Sequence, residues 1–186
     1  MTDDLKQPYS QIEKSARISE CGRFRYSLTR HWSDGDALVF VMLNPSTADA
    51  TLDDPTIRRC VGFAKREGFA GIHVANLYAF RATDPKDLLT CGDAVGPMND
   101  AHLSLLLTEQ VQRGNPVVAA WGSWPDRDPD RVANVLDLGG GRVDWRCLGH
   151  TKGGAPRHPL YVRGDQPLVR LCATADSGPF QQESQP

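Results

Sequence analysis

The chain has 186 residues, 40% hydrophobic and 24% charged, with a formal net charge of −2 at neutral pH. These values describe one globular domain with a sizeable core, and they exclude an overall basic field of the type that drives non-specific nucleic-acid binding. No apolar run approaches the length needed to cross a bilayer, so no membrane partner is expected.

A polar N-terminal segment (1–20) and a C-terminal tail rich in Ser, Gln, Gly and Pro (173–186) bracket the expected domain, residues 21–172. The opening segment lacks the apolar stretch of a secretory signal, which points to the cytoplasm. FRYSLTRHW (24–32), the turn SDGD and ALVFVML (37–43) read as an antiparallel hairpin, with a nearly all-apolar second arm suited to a central strand. Asp53 or Asp54 is positioned to cap a following helix with Pro55 at its first position. Ile57, Cys60, Val61 and Ala64 form its apolar stripe, and it ends near Gly68.

GIHVANLYAF (71–80) is the next predicted strand. A helix follows from about Asn99 to Arg113, stopped by Gly114-Asn115-Pro116. PVVAAWGSW (116–124) is a third strand, DPDRVANVLDL a third helix and RVDWRCLG (142–149) a fourth strand. Strands alternating with helices predict an α/β domain in three α/β/α layers: a mostly parallel central sheet of about four strands, plus the antiparallel strand of the N-terminal hairpin.

Parallel strands bring their carboxyl ends to one edge, where open α/β sheets bind ligands. Asn44, Pro45, Ser46 and Thr47 follow the first central strand; Asn76, Tyr78, Phe80 and Arg81 lie at the second. Trp121 ends the third, and Thr151, Lys152, Arg157, His158 and Tyr161 follow the fourth. Amides read donor and acceptor edges, aromatic rings stack on planar ligands and cations hold phosphates, so this set suits a nucleobase or nucleotide. The segment from Trp145 to Arg163 contains no acidic residue, and reads either as a local basic patch or as a solvated loop balanced by its neighbours.

Phosphate-loop, dinucleotide-fingerprint, nucleophile-elbow and zinc-protease motifs are absent, and a serine hydrolase built on Ser46 and His158 lacks an evident acidic third member. The five cysteines are scattered, with no C-x-x-C pair, so they read as free thiols; no metal or cofactor is expected.

RYSLTRHW, VMLNPSTADA, DDPTIRRC, ANLYAFRATDP, GPMND, AWG and LGHTKGGAPRHPLY together closely resemble the domain-of-unknown-function family 1643 of bacteria and their viruses, over roughly residues 22–172. A more distant resemblance is to the uracil-DNA glycosylase superfamily. Leu43-Asn44-Pro45-Ser46 resembles its first motif and His158-Pro159-Leu160 part of its closing one, while Asn76 and Ala120-Trp121-Gly122 fall at corresponding strand ends. Leu160 stands where the closing motif has Ser, and Met42 and Leu43 replace the first-motif Gly.

The second resemblance implies hydrolysis of an N-glycosidic bond to a modified or damaged base in DNA. Such chemistry needs a positioned water, a donor to the leaving base and a reader of its edge, with the base turned out of the helix. Asn44 suits the water, His158 the leaving base and Asn76 the edge. Tyr78 or Phe80 suits stacking, and Arg157 and Lys152 the flanking phosphates. Asp49 is an alternative water activator, as are Asp53 and Asp54, which also suit helix capping. A monomer is expected. The alternatives are a non-catalytic module binding a nucleotide or modified base, and an enzyme acting on free nucleotides.

Overall fold

The computed structural model describes residues 12–46, 48–124 and 128–172; Thr47, residues 1–11 and the predicted tail 173–186 lie outside the described residues. Among the described residues seven strands form one sheet: β1 (Glu13–Ile18), β2 (Arg25–His31), β3 (Ala37–Met42), β4 (Gly71–Asn76), β5 (Val117–Ala119), β6 (Trp145–Cys147) and β7 (Val169–Arg170), in the order β1-β2-β4-β3-β5-β6-β7. β4, β3, β5 and β6 are mutually parallel; β1 and β2 on one side and β7 on the other run antiparallel to their neighbours. The sheet is therefore larger than the sequence predicts. Glu13–Ile18 is mostly exposed and Val169–Arg170 very short, so neither carries the apolar alternation of a half-buried strand.

The predicted hairpin is not formed. β3 is almost wholly buried and takes a parallel partner on each edge, β4 and β5, which displaces β2 one place outward onto β4. Gly71 sits at this junction, opposite both His31 and Ala37; a Cβ there would come within 2.7 Å of the Arg30 carbonyl oxygen. An apolar strand buried on both faces gains more from two ladder partners than from a tight turn to a half-polar neighbour.

The helices are α1 (Pro55–Arg66), α2 (Asn99–Arg113) and α3 (Pro129–Asp137). Asp54 is the α1 cap, its carboxylate accepting from the Ile57 amide at 2.8 Å, and Asp53 instead pairs with Arg30 and Lys14. Ile57, Cys60, Phe63 and Ala64 of α1 pack on one face of the sheet with Leu38, Phe40 and Met42. On the other face, Leu103, Leu106 and Leu107 of α2 and Val135 of α3 pack with Val39, Val41 and Val117. Alternate residues of β3 thus enter opposite cores, as a pleated strand requires.

Among the described residues no helix is long and apolar enough to cross a membrane.

Candidate functional site

A cleft of about 610 Å³ opens at the carboxyl ends of the four parallel strands. Its walls contain Asn44 and Ser46 from beyond β3, Asn76 from the end of β4, Trp121 from beyond β5, and Lys152, Arg157 and His158 from beyond β6. These are the elements that a parallel topology is expected to converge, and the volume lies within the range of small-molecule sites.

The Asn44 turn is fixed by the continuing backbone of β4. The Leu77, Tyr78 and Ala82 amides donate to the carbonyls of Met42, Leu43 and Pro45. Asn44 Nδ2 donates to the carbonyls of Pro45 (3.0 Å) and Ala82 (2.9 Å), which leaves the side-chain oxygen as the group available to a ligand or water.

Two buried arginines of β2 hold the loop that follows. Arg25 donates to the Ala48 carbonyl at 2.6 Å, while Arg30 reaches the Asp49 carbonyl at 2.6 Å and the Asp53 carboxylate at 2.7 Å. Regular alternation would place residues 25 and 30 on opposite faces; a register irregularity where β1 meets this end of β2 lets both guanidiniums reach one loop. Arg25 also lines the cleft, where burial lowers its pKa to about 10 against the opposing pull of Asp54, so it remains a cation at neutral pH.

Asn76 is 1% exposed, and among the described residues neither its Nδ2 nor its Oδ1 has a hydrogen-bond partner. A buried amide left without partners costs about 1–3 kcal/mol, and native structures tolerate such a group chiefly where it has a task. Thr151 Oγ1 and Arg25 Nε, on residues lining the same cleft, are likewise buried with no partner among the described residues.

His158 caps a short 3-10 turn, Pro159–Tyr161, its Nδ1 accepting from the Leu160 amide at 3.3 Å. Neutral His158 therefore carries its hydrogen on Nε2, and burial favours that neutral form by lowering the pKa below the usual histidine value, with Asp54 partly opposing. Arg59 of α1 clamps the turn through the carbonyls of Pro159 and Val162. Tyr161, 78% exposed, stands at the lip with its ring centroid 5.6 Å from that of His158.

Other predicted site residues fall elsewhere. Tyr78 is buried against the α2–α3 face and donates to Asp128 at 2.6 Å, and Phe80 packs edge-on against Phe24. Neither lines the cleft, nor does Pro45, whose carbonyl is taken by Asn44 and Ala82. Asp49 is also outside it: its Oδ1 accepts from the Thr51 amide and hydroxyl and the Leu52 amide, bonds that lower its pKa to about 2 and mark it as a turn former. Arg81 lines an adjoining groove.

Sequence reasoning missed Arg25, Thr56, Ser123 and Trp124 as cleft residues and gave Asp54 mainly a capping role, although it too lines the cleft. Trp124 stood in the WGSW segment, where one tryptophan was singled out; for Arg25 the available signal was a charge inside a strand otherwise suited to burial. Among the described residues no three His, Cys, Asp or Glu side chains form a group that could hold a metal.

Neither the curated proteins nor the solved structures contain a match to this chain. The family profile described as "Protein of unknown function (DUF1643)" matches residues 25–160, well over half the sequence, and the chain belongs to that family.

Proposed function

We propose that the cleft holds a nucleobase and that the protein hydrolyses the N-glycosidic bond of a modified or damaged base in DNA, on a uracil-DNA-glycosylase-like, three-layer scaffold. The observation that carries this reading is Asn76. An enclosed amide with a free donor and a free acceptor complements a ligand edge presenting an acceptor beside a donor, as nucleobases do. Apolar ligands would leave both groups unpaired, and a bare anion would leave the carbonyl unpaired.

The surrounding groups support the chemistry. Asn44 Oδ1 accepts a hydrogen bond from the attacking water; the water oxygen bonds to the sugar C1′ as the bond from C1′ to the base breaks. The departing base takes the electron pair, and His158 Nε2–H donates a hydrogen bond to it. Asp54, with one carboxylate oxygen engaged at the α1 cap, faces the same cleft and offsets positive charge developing on the sugar. Trp124 and Tyr161 supply the ring surfaces expected of Tyr78 or Phe80. The water's proton passes to solvent and the base anion takes up a proton from solvent, so the products are a neutral free base and an abasic sugar.

The test is incubation of the purified protein and its Asn44→Ala variant with DNA carrying normal, deaminated and phage-type modified bases, followed by mass spectrometry for free base. Release by the wild type and not by the variant supports the reading. The net charge of −2 favours, as a second reading, a free-nucleotide enzyme or a non-catalytic binder at the same cleft. Release from mononucleotides alone, or binding without release, assigns it to one of these.

A further inference from the structure

Beside the cleft, and separated from it by Ser46, Ala82 and Thr83, runs an open groove of about 400 Å³ flanked by Arg23 and Arg81. Neither arginine forms an ion pair among the described residues. Each is held in place by a backbone carbonyl: Arg23 by that of Cys91 at 3.2 Å, Arg81 by that of Gly22 at 3.1 Å. The Arg23 guanidinium also lies 5.6 Å from the ring centroids of both Phe24 and Phe80, and Arg81 Nε is buried with no partner among the described residues. Asp49 is near enough to be influenced by Arg81, but its Oδ1 serves its own turn and it makes no ion pair with Arg81 among the described residues.

We infer that this groove binds a backbone phosphodiester of a DNA strand whose target base occupies the cleft. The inference rests on the proposed base-binding role and adds to it a second anchoring point. Guanidiniums fixed by neutral carbonyls are oriented yet not neutralised, which suits a phosphate oxygen. Position distinguishes a strand from a mononucleotide. The groove lies at the β2–β4 side of the sheet edge, and Lys152 and Arg157 lie beyond β6. From β4 to β6 there are three strand spacings, about 14 Å, more than the phosphate of one nucleotide can span. A strand crossing the cleft meets cations on both sides of the base.

The experiment is fluorescence anisotropy with a labelled single-stranded DNA of mixed sequence, about 15 nucleotides long, between about 50 and 200 mM NaCl. Removing both cations from this one phosphate by Arg23→Gln and Arg81→Gln together is expected to weaken binding roughly tenfold at the lower salt and to flatten the log–log salt slope by about 0.7. The charge-keeping pair Arg23→Lys and Arg81→Lys retains the slope, which separates lost charge from a damaged fold. Thymidine 5′-monophosphate binding is expected to be the same in wild type and the Gln pair.

Equal DNA affinity and slope in wild type and the Gln pair overturns the inference, as does failure of the wild type to bind DNA at low salt. Loss of mononucleotide binding in the Gln pair overturns it too, making the groove a monoester site. Nucleosides carry no phosphate and test the cleft alone. No nucleoside binding alongside the expected change in salt slope overturns the base assignment while upholding the groove as a phosphate site.

Discussion

Asn99, wholly buried in the first turn of α2, donates through Nδ2 to the carbonyls of Asn76 and Leu77, at 3.1 and 3.0 Å. Asn76, whose side chain has no partner among the described residues, thus stands on a backbone fastened by another buried amide. Asn99→Ala takes the side-chain donor from the buried Asn76 carbonyl, while the Leu77 carbonyl keeps Arg131 Nε at 2.8 Å, and it is expected to lower unfolding free energy by about 1–3 kcal/mol in urea titrations. It is also expected to weaken nucleoside binding severalfold, because the Asn76 backbone loses its anchor.

Tyr78 separates a structural role from a stacking one. Its hydroxyl donates at 2.6 Å to Asp128, which also caps α3 by accepting from the Arg131 amide at 3.1 Å. Burial, then this hydrogen bond, raise the phenol pKa, so the bond persists through the alkaline range in which an ordinary tyrosine ionises. Tyr78→Phe is expected to reduce stability by about 1.5–3 kcal/mol, the range for hydrogen bonds to charged groups. Nucleoside affinity is expected to change less than about twofold, far below the loss of stacking on a base. A large affinity loss without destabilisation would return Tyr78 to the site.

Stability is expected to fall on the acid side in two separate windows. His73, under α2 in the sheet, has its pKa lowered to about 4, first by burial. A folded pKa below the unfolded value of about 6.5 means that the unfolded chain binds the proton more readily. The contribution is present above pH 6.5 and is lost as the pH falls toward 4. Its size between pH 7 and 5 is about 2 kcal/mol, measurable by urea unfolding, and His73→Gln is expected to flatten that slope. Asp49, lowered to about 2, acts in the next window, its contribution lost below the ordinary aspartate value. His158 titrates below the usual histidine value, so its neutral Nε2–H form persists below pH 6.5, down toward its lowered pKa.

Much of the architecture was legible because apolar patterning reports burial directly. α2 spans Asn99–Arg113, as its leucine stripe predicts, and the four parallel strands carry the expected polar turns to one edge. What was not legible depended on pairing between distant residues. Nothing local to the SDGD turn reveals that β4, some 35 residues on, will displace β2 from β3. The orientation of the Asn44 amide is set by the Ala82 carbonyl, and that of the loop at 48–53 by Arg25 and Arg30. Tyr78 and Phe80 were near the cleft in sequence yet turn into the core and against Phe24, because the segment 79–81 pairs with residues 23–25.

The most direct measurement is isothermal titration of wild type and Asn76→Ala with a panel of normal and modified nucleosides, alongside thermal unfolding of both proteins without ligand. An amide kept for ligand recognition contributes little to the empty fold. The variant is therefore expected to be at least as stable as the wild type while losing about 5- to 150-fold affinity for the nucleoside the wild type prefers, the equivalent of about 1–3 kcal/mol. Marked destabilisation of the variant with unchanged nucleoside affinity, or no nucleoside binding by the wild type, would contradict the assignment of this cleft to a nucleobase.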